Sequence, residues 1–221
     1  MRTWLLVAAE AREFSGILKR FGPAVKLDWN GARFARAISK DGDRWLLAAN
    51  GPGPRCVEEV FRKKMEVSGI INTGFCGALD PALRIGDVVV WGDAPPACGG
   101  RYVSGAISSS DRVVVTVEEK RRLRQETGAI AAEMEAGAVK KIAERWSVPF
   151  YSVRAVSDTA NEDMPLDFNL YRDGAGRFSL PRIAMAAMSR PFTRIPALKR
   201  LEANCNVASE SLGAFFADCR F

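Results

Sequence analysis

Short apolar runs alternate along this chain with stretches that have the periodicity of a helix. Continuous apolar runs, typical of buried strands, occur at residues 4–9, 69–74, 86–91 and 149–156. Apolar residues have helical spacing at 11–21, and helices are also predicted at 55–67, 117–126 and 131–146. Strands that alternate with helices predict an α/β protein whose sheet is covered on both faces.

The remaining segments complete this outline. Residues 34–40 and 44–49 are strand-like and flank the turn signal Asp41-Gly42-Asp43, and 102–108 is also strand-like. We expect a loop at 94–100, a polar segment at 157–176, and helices that begin at Pro181 and Ala208. With no internal repeat, low-complexity tract or linker, residues 1–221 are predicted to form a single domain.

An acidic pair and a strand-terminal aspartate form the most informative pattern. Glu133-Met134-Glu135 opens the predicted helix 131–146, and Ser157-Asp158 follows the predicted strand 149–156. Ligand sites in open α/β sheets lie beyond the carboxyl ends of strands, so Glu135 and Asp158 are expected to face one pocket. Two carboxyl groups in different environments can divide acid, base or anchoring roles. The alternative is a helix-capping glutamate and an aspartate in a turn.

The residue types that are absent narrow the chemistry. The chain has no histidine, which excludes Ser-His-Asp and Cys-His hydrolysis and histidine-based metal sites. Its five cysteines are odd in number and show no C-x-x-C spacing, so we expect reduced thiols in the cytoplasm, no disulfide framework and no metal. Residues 1–10 are interpreted as a buried strand, not a signal peptide, and no run is long enough to cross a bilayer. Carboxylates therefore become the leading candidates for proton transfer.

The net charge of +6 is spread along the chain. Lysine and arginine form only mild clusters, at 120–124 and 190–200, whereas nucleic-acid binders concentrate them on one face, so nucleic acid is a disfavoured partner. The cluster 120–124 is interpreted as the solvated face of a helix.

Three further segments are candidates for ligand contact. Asn50-Gly51-Pro52-Gly53, followed by Arg55, would bind an anion or a ribose, or form only a tight turn. Thr73-Gly74-Phe75-Cys76-Gly77 would let the backbone approach a ligand, or be a glycine-mediated strand exit in which Cys76 is a small buried hydrophobe. Glu10 and Glu13, after the first strand, would activate water or hold a hydroxyl, or serve only as first-turn helix glutamates.

Six segments in collinear order resemble the nucleoside phosphorylase and nucleosidase superfamily. They are 9–13, 50–53, 71–79, 85–90, 133–136 and 153–158, of which the last two are the most diagnostic. The resemblance covers most of the chain. It implies a three-layer αβα sandwich with a central mixed, mostly parallel sheet, and cleavage of the N-glycosidic bond of a purine nucleoside with an adenine-type base.

The resemblance also implies roles for individual residues. Asp158 would donate a proton to the base, Glu135 would bind ribose hydroxyls, and Met134 would pack on the sugar. The stretch 109–114, with Val113 and Val114, would line the base pocket together with Ser157. Glu13 matches the water-activating glutamate, with Glu10 in an alternative register. No cofactor is implied, with inorganic phosphate as an alternative co-substrate to water, and a homodimer or larger homo-oligomer is expected.

Two departures from the family pattern bear on the substrate. Phosphorylases of this type place a small hydroxyl residue where this chain has Phe75, so phosphate would need charge from Arg33 or Arg55 instead. The segment 90–104 is shorter than in methylthioadenosine nucleosidases, which leaves the 5′ side of the sugar more open. The run 78–83 resembles the hopanoid-associated phosphorylase branch, which implies adenine removal from adenosylhopane.

Two alternatives stay open at the level of sequence. Residues 183–201 mix apolar and basic side chains, which suits either peripheral membrane contact or a core helix with a solvated basic face that breaks at Pro191 and Pro196. The same fold would also suit a non-catalytic protein that binds a nucleoside or a lipid-linked nucleoside.

Overall fold

The structure is a computed structural model that describes residues 1–29, 31–94 and 96–221. Its strands are β1 (Thr3–Ala8), β2 (Val25–Lys26), β3 (Phe34–Lys40), β4 (Asp43–Ala49), β5 (Gly69–Ala78), β6 (Val88–Gly92), β7 (Ala97–Cys98), β8 (Val103–Ser104), β9 (Ile107–Ser109), β10 (Ala131–Glu133), β11 (Phe150–Asp158) and β12 (Cys219–Arg220). Its α-helices are α1 (Ser15–Arg20), α2 (Pro54–Val60), α3 (Val117–Thr127), α4 (Ala136–Trp146), α5 (Leu180–Met188) and α6 (Pro191–Asp218), and 3₁₀ helices span Ala11–Phe14 and Phe168–Tyr171.

One sheet organises the protein. Strands β2, β3, β4, β1, β5, β11, β6 and β8 lie side by side in that order, and β10 and β9 extend it from the end of β5. The central strands β4, β1, β5 and β11 are mutually parallel, whereas β3 and β6 run antiparallel to their central neighbours. The carboxyl ends of the four central strands therefore meet at one edge of the sheet, where α/β proteins bind ligands.

Helices cover both faces of this sheet. Leu6 of β1 faces α1 and α6 in one apolar cluster, and Leu5 and Val7 face α2 and α4 in another, because successive side chains of a strand point to opposite faces. All three side chains are fully buried, and each contributes about 1.5–3 kcal/mol of transfer free energy. The predicted three-layer αβα sandwich with a mixed, mostly parallel sheet is confirmed.

The position of α6 depends on close contact with α1. A Cβ on Gly16 of α1 would lie 1.9 Å from the carbonyl oxygen of Ser209, so only glycine lets the two backbones approach this closely. The hydroxyl of Ser209 accepts a hydrogen bond from the Gly16 N–H at 3.0 Å. This contact fixes the long helix that supplies one wall of the site described below.

The most consequential difference from the predicted elements lies at 131–146. Residues 131–133 form β10, which pairs antiparallel with the end of β5 and parallel with β9, and the helix begins only at Ala136. Alanine favours helices, but here the backbone hydrogen bonds of two neighbouring strands outweigh that preference. Glu133 and Glu135 therefore precede the helix instead of lying on its face.

Smaller differences concern the ends of elements. The helix predicted for 55–67 ends at Val60, where the N–H of Phe61 bonds back to the carbonyl of Glu58 and closes the turn. The helix predicted from Ala208 begins at Pro191 and continues through Pro196. The predicted break at Pro196 is wrong because this proline lies near the exposed start of α6, where the carbonyl that loses its partner can be solvated. Pro95, in the loop predicted for 94–100, lies outside the described residues, and β7 occupies part of that loop.

The cysteines correct another expectation. Cys98 of β7 and Cys219 of β12 form a disulfide between two antiparallel strands, with 4.2 Å between their Cα atoms. The expectation that all five cysteines are reduced is wrong for this pair, whose separation of 121 residues gave no local signal. Cys56, Cys76 and Cys205 are free and buried. The cysteine count therefore no longer supports the predicted cytoplasmic location.

Among the helices of the described ranges, none combines the length and the apolar character that a membrane crossing requires.

Candidate active site

A cavity of about 780 Å³ opens at the carboxyl edge of the central strands. The sequence-predicted residues that line it are Glu10, Glu13, Arg33, Gly51, Phe75, Val113, Val114, Met134, Glu135, Ser157 and Asp158. Small-molecule sites typically have volumes of about 300–1,000 Å³. Glu135 and Asp158, which are far apart in sequence, thus line one cavity of ligand size.

Glu13 and Glu10 follow β1 and have different environments. Glu13 is buried and accepts hydrogen bonds from the backbone N–H of Phe75 at 2.8 Å and of Glu10 at 2.7 Å. Burial raises the pKa of Glu13, although Arg154 opposes this effect. Glu10 is only half-buried, and its carboxylate pairs with Arg12 at 2.6 Å. Glu13 is therefore the interior carboxyl of the two, and Glu10 is the more solvated one.

Glu13 can reach this position because Gly74 of β5 has no side chain. Gly74 has a φ of +132°, and a Cβ there would lie 2.3 Å from Oε1 of Glu13 and 2.9 Å from Nη1 of Arg154. The neighbouring Thr73 is fully buried behind the cavity wall, and its hydroxyl has no hydrogen-bond partner within the described part of the chain. The side chain of Phe75 lines the cavity, with the guanidinium of Arg12 5.9 Å from its ring centre.

Arg154, in the interior of β11, joins two acidic side chains. It is 1% exposed, and its Nη2 lies 2.9 Å from Oε2 of Glu135, 2.5 Å from Oδ1 of Asn72 and in contact with Glu133. The other oxygen of Glu135 accepts a hydrogen bond from the N–H of Gly53 at 2.8 Å. Burial raises the pKa of Glu135 to about 7, since desolvation outweighs the attraction of Arg154.

Glu133 orients this group through the backbone. Its carboxylate accepts hydrogen bonds from the N–H groups of Glu135 at 2.8 Å and Ala136 at 2.9 Å, at the start of α4. These N–H groups have no partner inside a helix, and the carboxylate also favours the positive end of the helix dipole. Neither Glu133 nor Arg154 was assigned a role from the sequence. The position of Arg154 inside an apolar strand could have indicated a buried ion pair, because a buried charge needs a buried partner.

Asp158 ends β11 beside a second buried cation. Its Oδ2 lies 2.6 Å from Nζ of Lys120, and its Oδ1 accepts a hydrogen bond from the hydroxyl of Ser157 at 3.0 Å. Burial raises the pKa of Asp158 although Lys120 lowers it. The prediction of a solvated basic cluster is wrong for Lys120, which is 1% exposed. The start of α3 lies over the end of β11, so this position faces inward while Arg121 and Arg122 stay exposed.

Of the stretch 109–114 predicted to line the base pocket, residues 112–114 lie in the cavity wall and 109–111 do not. Val113 and Val114 both line the cavity, and the side-chain amide of Asn169 bonds to both backbone groups of Val113, accepting at 2.8 Å and donating at 2.9 Å. Met134 is buried against the same space. The backbone of this wall is therefore held by the 3₁₀ helix Phe168–Tyr171.

The glycine loop after β4 only partly matches its predicted role. Gly51 lines the cavity, and Gly53 contributes through its hydrogen bond to Glu135. Arg55 does not line it; its guanidinium is exposed and lies 3.4 Å from the carbonyl oxygen of Gly174. Arg177 approaches this loop instead, lines the cavity and donates to the carbonyl of Asn50 at 2.9 Å.

A second set of lining residues is apolar. Its members come from the segment after β11 and from helices α5 and α6, and they are Met164, Phe168, Phe178, Leu180, Ile183, Leu198 and Leu201. Leu180 is 74% exposed, which places it at the rim, whereas Cys205 is buried within the wall. Cys76 also lines the cavity, and burial raises the pKa of its thiol, so it is a poor nucleophile.

The arrangement has a definite chemical capacity. Glu13 and Asp158 are buried carboxyl groups with different partners, and such pairs can divide the roles of acid and base. Within residues 1–29, 31–94 and 96–221, no group of three or more acidic or cysteine side chains is placed to hold a metal ion. Proton transfer by carboxyl groups is therefore the chemistry that these residues can supply.

Comparison with known proteins agrees with this fold. The model of the phosphorylase superfamily matches residues 96–179. The 5′-methylthioadenosine/S-adenosylhomocysteine nucleosidase of Staphylococcus aureus (strain JH9) is 31% identical over 150 residues, which cover 51% of this chain and 66% of that protein. The chain thus covers just under two thirds of the length of this curated relative.

Solved structures resemble the whole chain. A 5′-methylthioadenosine/S-adenosylhomocysteine nucleosidase from Campylobacter jejuni superimposes with a TM-score of 0.65 at 16% identity, covering 98% of this chain and 99% of that one. The futalosine hydrolase of Helicobacter pylori superimposes with a TM-score of 0.61 at 19% identity, covering 96% of this chain and 95% of that one.

The fold is thus the three-layer α/β architecture of these nucleosidases, with its cavity at the carboxyl ends of the central strands. The match of residues 96–179 to the phosphorylase superfamily and the similarity to these nucleosidases agree with the superfamily that the sequence motifs predict.

The buried carboxyl of Glu135 predicts a pH-dependent stability. Its pKa is raised to about 7 in the folded protein from 4.5, so the folded state binds more protons between these values. The contribution of this group to the free energy of unfolding therefore falls as the pH rises from about 5 to 7. Relative to Glu135→Gln, the wild-type protein should lose stability over this range, by about 1.4 kcal/mol per unit of pKa difference. Urea unfolding at several pH values measures this.

Glu144→Gln, at an exposed position of α4, is the control and should leave the pH dependence of wild type unchanged. A stability difference between wild type and Glu135→Gln that stays constant from about pH 5 to 7 would contradict the assignment of this titration to Glu135.

Proposed function

We propose that this protein cleaves the N-glycosidic bond of a purine nucleoside with an adenine-type base, with water as the nucleophile. The observation that carries the proposal is the pair of buried carboxyl groups, Glu13 and Asp158, which share one cavity with Glu135. The relatedness to nucleosidases from other organisms supports the same reaction class.

Asp158 is proposed as the acid. When the bond between C1′ and the base nitrogen breaks, its electron pair moves to the base, and a proton from Asp158 neutralises the charge that develops there. Burial raises the pKa of Asp158, which favours the protonated form that this step requires. Ser157, hydrogen-bonded to Oδ1, orients the carboxyl group.

Glu13 and Glu135 are proposed to serve the sugar and the water. Water adds to C1′ and gives a proton to the carboxylate of Glu13, so the products are the free base and the free sugar. Positive charge develops on the ribose ring during this step, and nearby carboxylates stabilise it. Glu135, held by Arg154 and the N–H of Gly53, is proposed to accept hydrogen bonds from ribose hydroxyls, with Met134 packed beside them.

The side chain of Phe75 favours water over phosphate as the nucleophile. It occupies the cavity wall where related phosphorylases place a small hydroxyl residue, and Arg55 does not line the cavity. Arg33 and Arg177 do line it, so inorganic phosphate is retained as the co-substrate to be tested against water.

We further propose a large apolar 5′ substituent, for which a lipid-linked nucleoside such as adenosylhopane is the candidate. The apolar wall built by α5 and α6 supports this substituent. Met185, Met188 and Phe192 on the same helices are largely exposed, near basic residues of 190–200, which is the mixture found at membrane surfaces. Peripheral membrane contact and a homo-oligomer remain predictions.

The first prediction tests the reaction itself. The protein should release adenine from 5′-substituted adenosines, with free sugar as product and no dependence on phosphate. Asp158→Asn should lower kcat by about 100-fold or more, as the loss of a general acid does, with folding retained. Chromatography of base, sugar and ribose-1-phosphate, with and without phosphate, measures this. If no base is released while the nucleoside still binds, the protein is a non-catalytic binder; ribose-1-phosphate would identify a phosphorylase.

The second prediction separates the two glutamates after β1. Glu13→Gln should lower kcat by about 100-fold or more because the base that accepts the water proton is lost. Glu10→Gln is the matched control and should keep kcat within about threefold, since its exposed pairing with Arg12 contributes little. Initial rates of base release measure both values of kcat. A larger loss of kcat in Glu10→Gln than in Glu13→Gln would assign activation of the water to Glu10.

The third prediction concerns the 5′ substituent. Lengthening an alkylthio chain at the 5′ position should raise kcat/KM about fourfold for each methylene that the apolar wall buries. Ile183→Ser should weaken this dependence, whereas Met185→Ser, on the same helix but absent from the cavity lining, should not. A kcat/KM that stays flat or falls as the chain lengthens would rule out an apolar 5′ group.

A further inference from the structure

The buried ammonium group of Lys120 has three acceptors. As an ammonium group its Nζ has three N–H donors, and it lies 2.6 Å from Oδ2 of Asp158, 2.7 Å from the carbonyl oxygen of Thr159 and 3.0 Å from that of Glu162. Each donor therefore has one acceptor. Lys120 also lines the cavity, although it is only 1% exposed.

The two oxygens of Asp158 have different partners as a result. Oδ2 is held by the ammonium group, and Oδ1 accepts only the weaker hydrogen bond from the hydroxyl of Ser157. A bond to a charged donor is shorter and stronger than one to a neutral hydroxyl. Of the two oxygens, Oδ1 is the one whose partner a ligand can displace at lower cost.

The other charged or titratable groups near Asp158 come from three elements. Glu162 follows β11, the thiol of Cys76 belongs to β5, and the thiol of Cys205 belongs to α6. Glu162 disfavours the ionised form of Asp158. Within the described ranges, the cation in direct contact with the carboxyl group of Asp158 is Lys120.

We propose that Lys120 is a positioning residue for Asp158, which holds Oδ2, leaves Oδ1 to face the substrate, and sets the strength of Asp158 as an acid. The proposal rests on the proposed function of Asp158 as proton donor. It assigns to the start of α3 a part in the reaction that neither the family match nor the sequence motifs give it.

The physical reason is the burial of Asp158. A buried carboxyl group holds its proton tightly because the charged form is poorly solvated, and burial does raise the pKa of Asp158. An acid that holds its proton too tightly donates it slowly, since the best catalytic acids have a pKa near the working pH. The adjacent ammonium group limits this rise and stabilises the carboxylate that remains after the proton has moved to the base.

The first test is the pH dependence of base release by Lys120→Gln. Activity falls at high pH as the acid loses its proton, so loss of the cation should move this alkaline limb up by about one pH unit or more. The plateau kcat should fall by about tenfold or more with KM changed less than about threefold. Lys140→Gln, which removes an exposed lysine paired with Glu144 on α4, is the control and should match wild type. A lower kcat with an unmoved alkaline limb would show a purely structural role and overturn the proposal.

A second variant keeps the proposal testable if Lys120→Gln does not fold. The double variant Asp158→Asn/Lys120→Gln has no buried charge at the pair, and its residual activity should equal that of Asp158→Asn within about twofold, because Lys120 acts through Asp158. A further loss of about tenfold would show that Lys120 acts elsewhere.

A direct titration separates this proposal from the proposed function. The carboxyl carbon of Asp158, labelled with ¹³C and assigned by comparison with Asp158→Asn, should titrate at higher pH in Lys120→Gln than in wild type. Should Asp158→Asn retain full activity, the proposed function fails, yet the titration still reports whether Lys120 controls the carboxyl group. An equal titration in both proteins overturns the proposal whatever the activity.

Discussion

The guanidinium group of Arg154 is the interaction on which the rest of the site depends. It is buried in the sheet interior, and it lies against Glu133 and Glu135 with Glu13 nearby. Burying one unpaired carboxylate costs several kcal/mol, so none of these groups could be held here in its ionised form without a cation. One positive charge cannot neutralise three ionised carboxyl groups. Burial raises the pKa of Glu13 and Glu135, which favours their neutral forms. A cavity with this balance favours positive charge on a bound sugar ring.

Topology explains why these groups meet. Glu13 follows β1, Glu135 follows β10, and Asp158 ends β11, so each lies at the carboxyl edge shared by the parallel strands. The missing side chain of Gly74 in β5 leaves space for Glu13, and the antiparallel pairing of β10 with the end of β5 brings Glu135 to the same place. The two cations, Arg154 and Lys120, then give the sugar end and the base end of the proposed reaction separate electrostatic environments.

The sequence predicts the sheet well and the charged interior poorly. Continuous apolar runs identify β1, β5, β6 and β11, because strands buried on both faces have no polar alternation. The alanine-rich start of 131–146 misled the helix prediction, since the hydrogen bonds of β10 depend on partners distant in sequence. The side chain of Lys120 is buried and that of Arg55 is exposed because of the way α3 and α2 pack on the rest of the fold. The local sequence pattern does not encode this packing. The different burial of Glu13 and Glu10 likewise depends on the 3₁₀ helix Ala11–Phe14, which contains Glu13 and begins after Glu10.

The proposed chemistry and the proposed specificity depend on different parts of the chain. Glu135 and Asp158 lie within the range matched by the family model, 96–179, whereas Leu180, Ile183 and Leu201 lie after it. The proposed acid and ribose ligands are therefore held by strands and strand ends, and much of the apolar wall by two C-terminal helices. The second half of α6 packs on the sheet and on α1, whereas Leu198 and Leu201 lie in its first half, so the sequence of this wall can change without displacing the carboxyl groups. The fold is thus compatible with keeping the proposed reaction while different groups are accepted at the 5′ position.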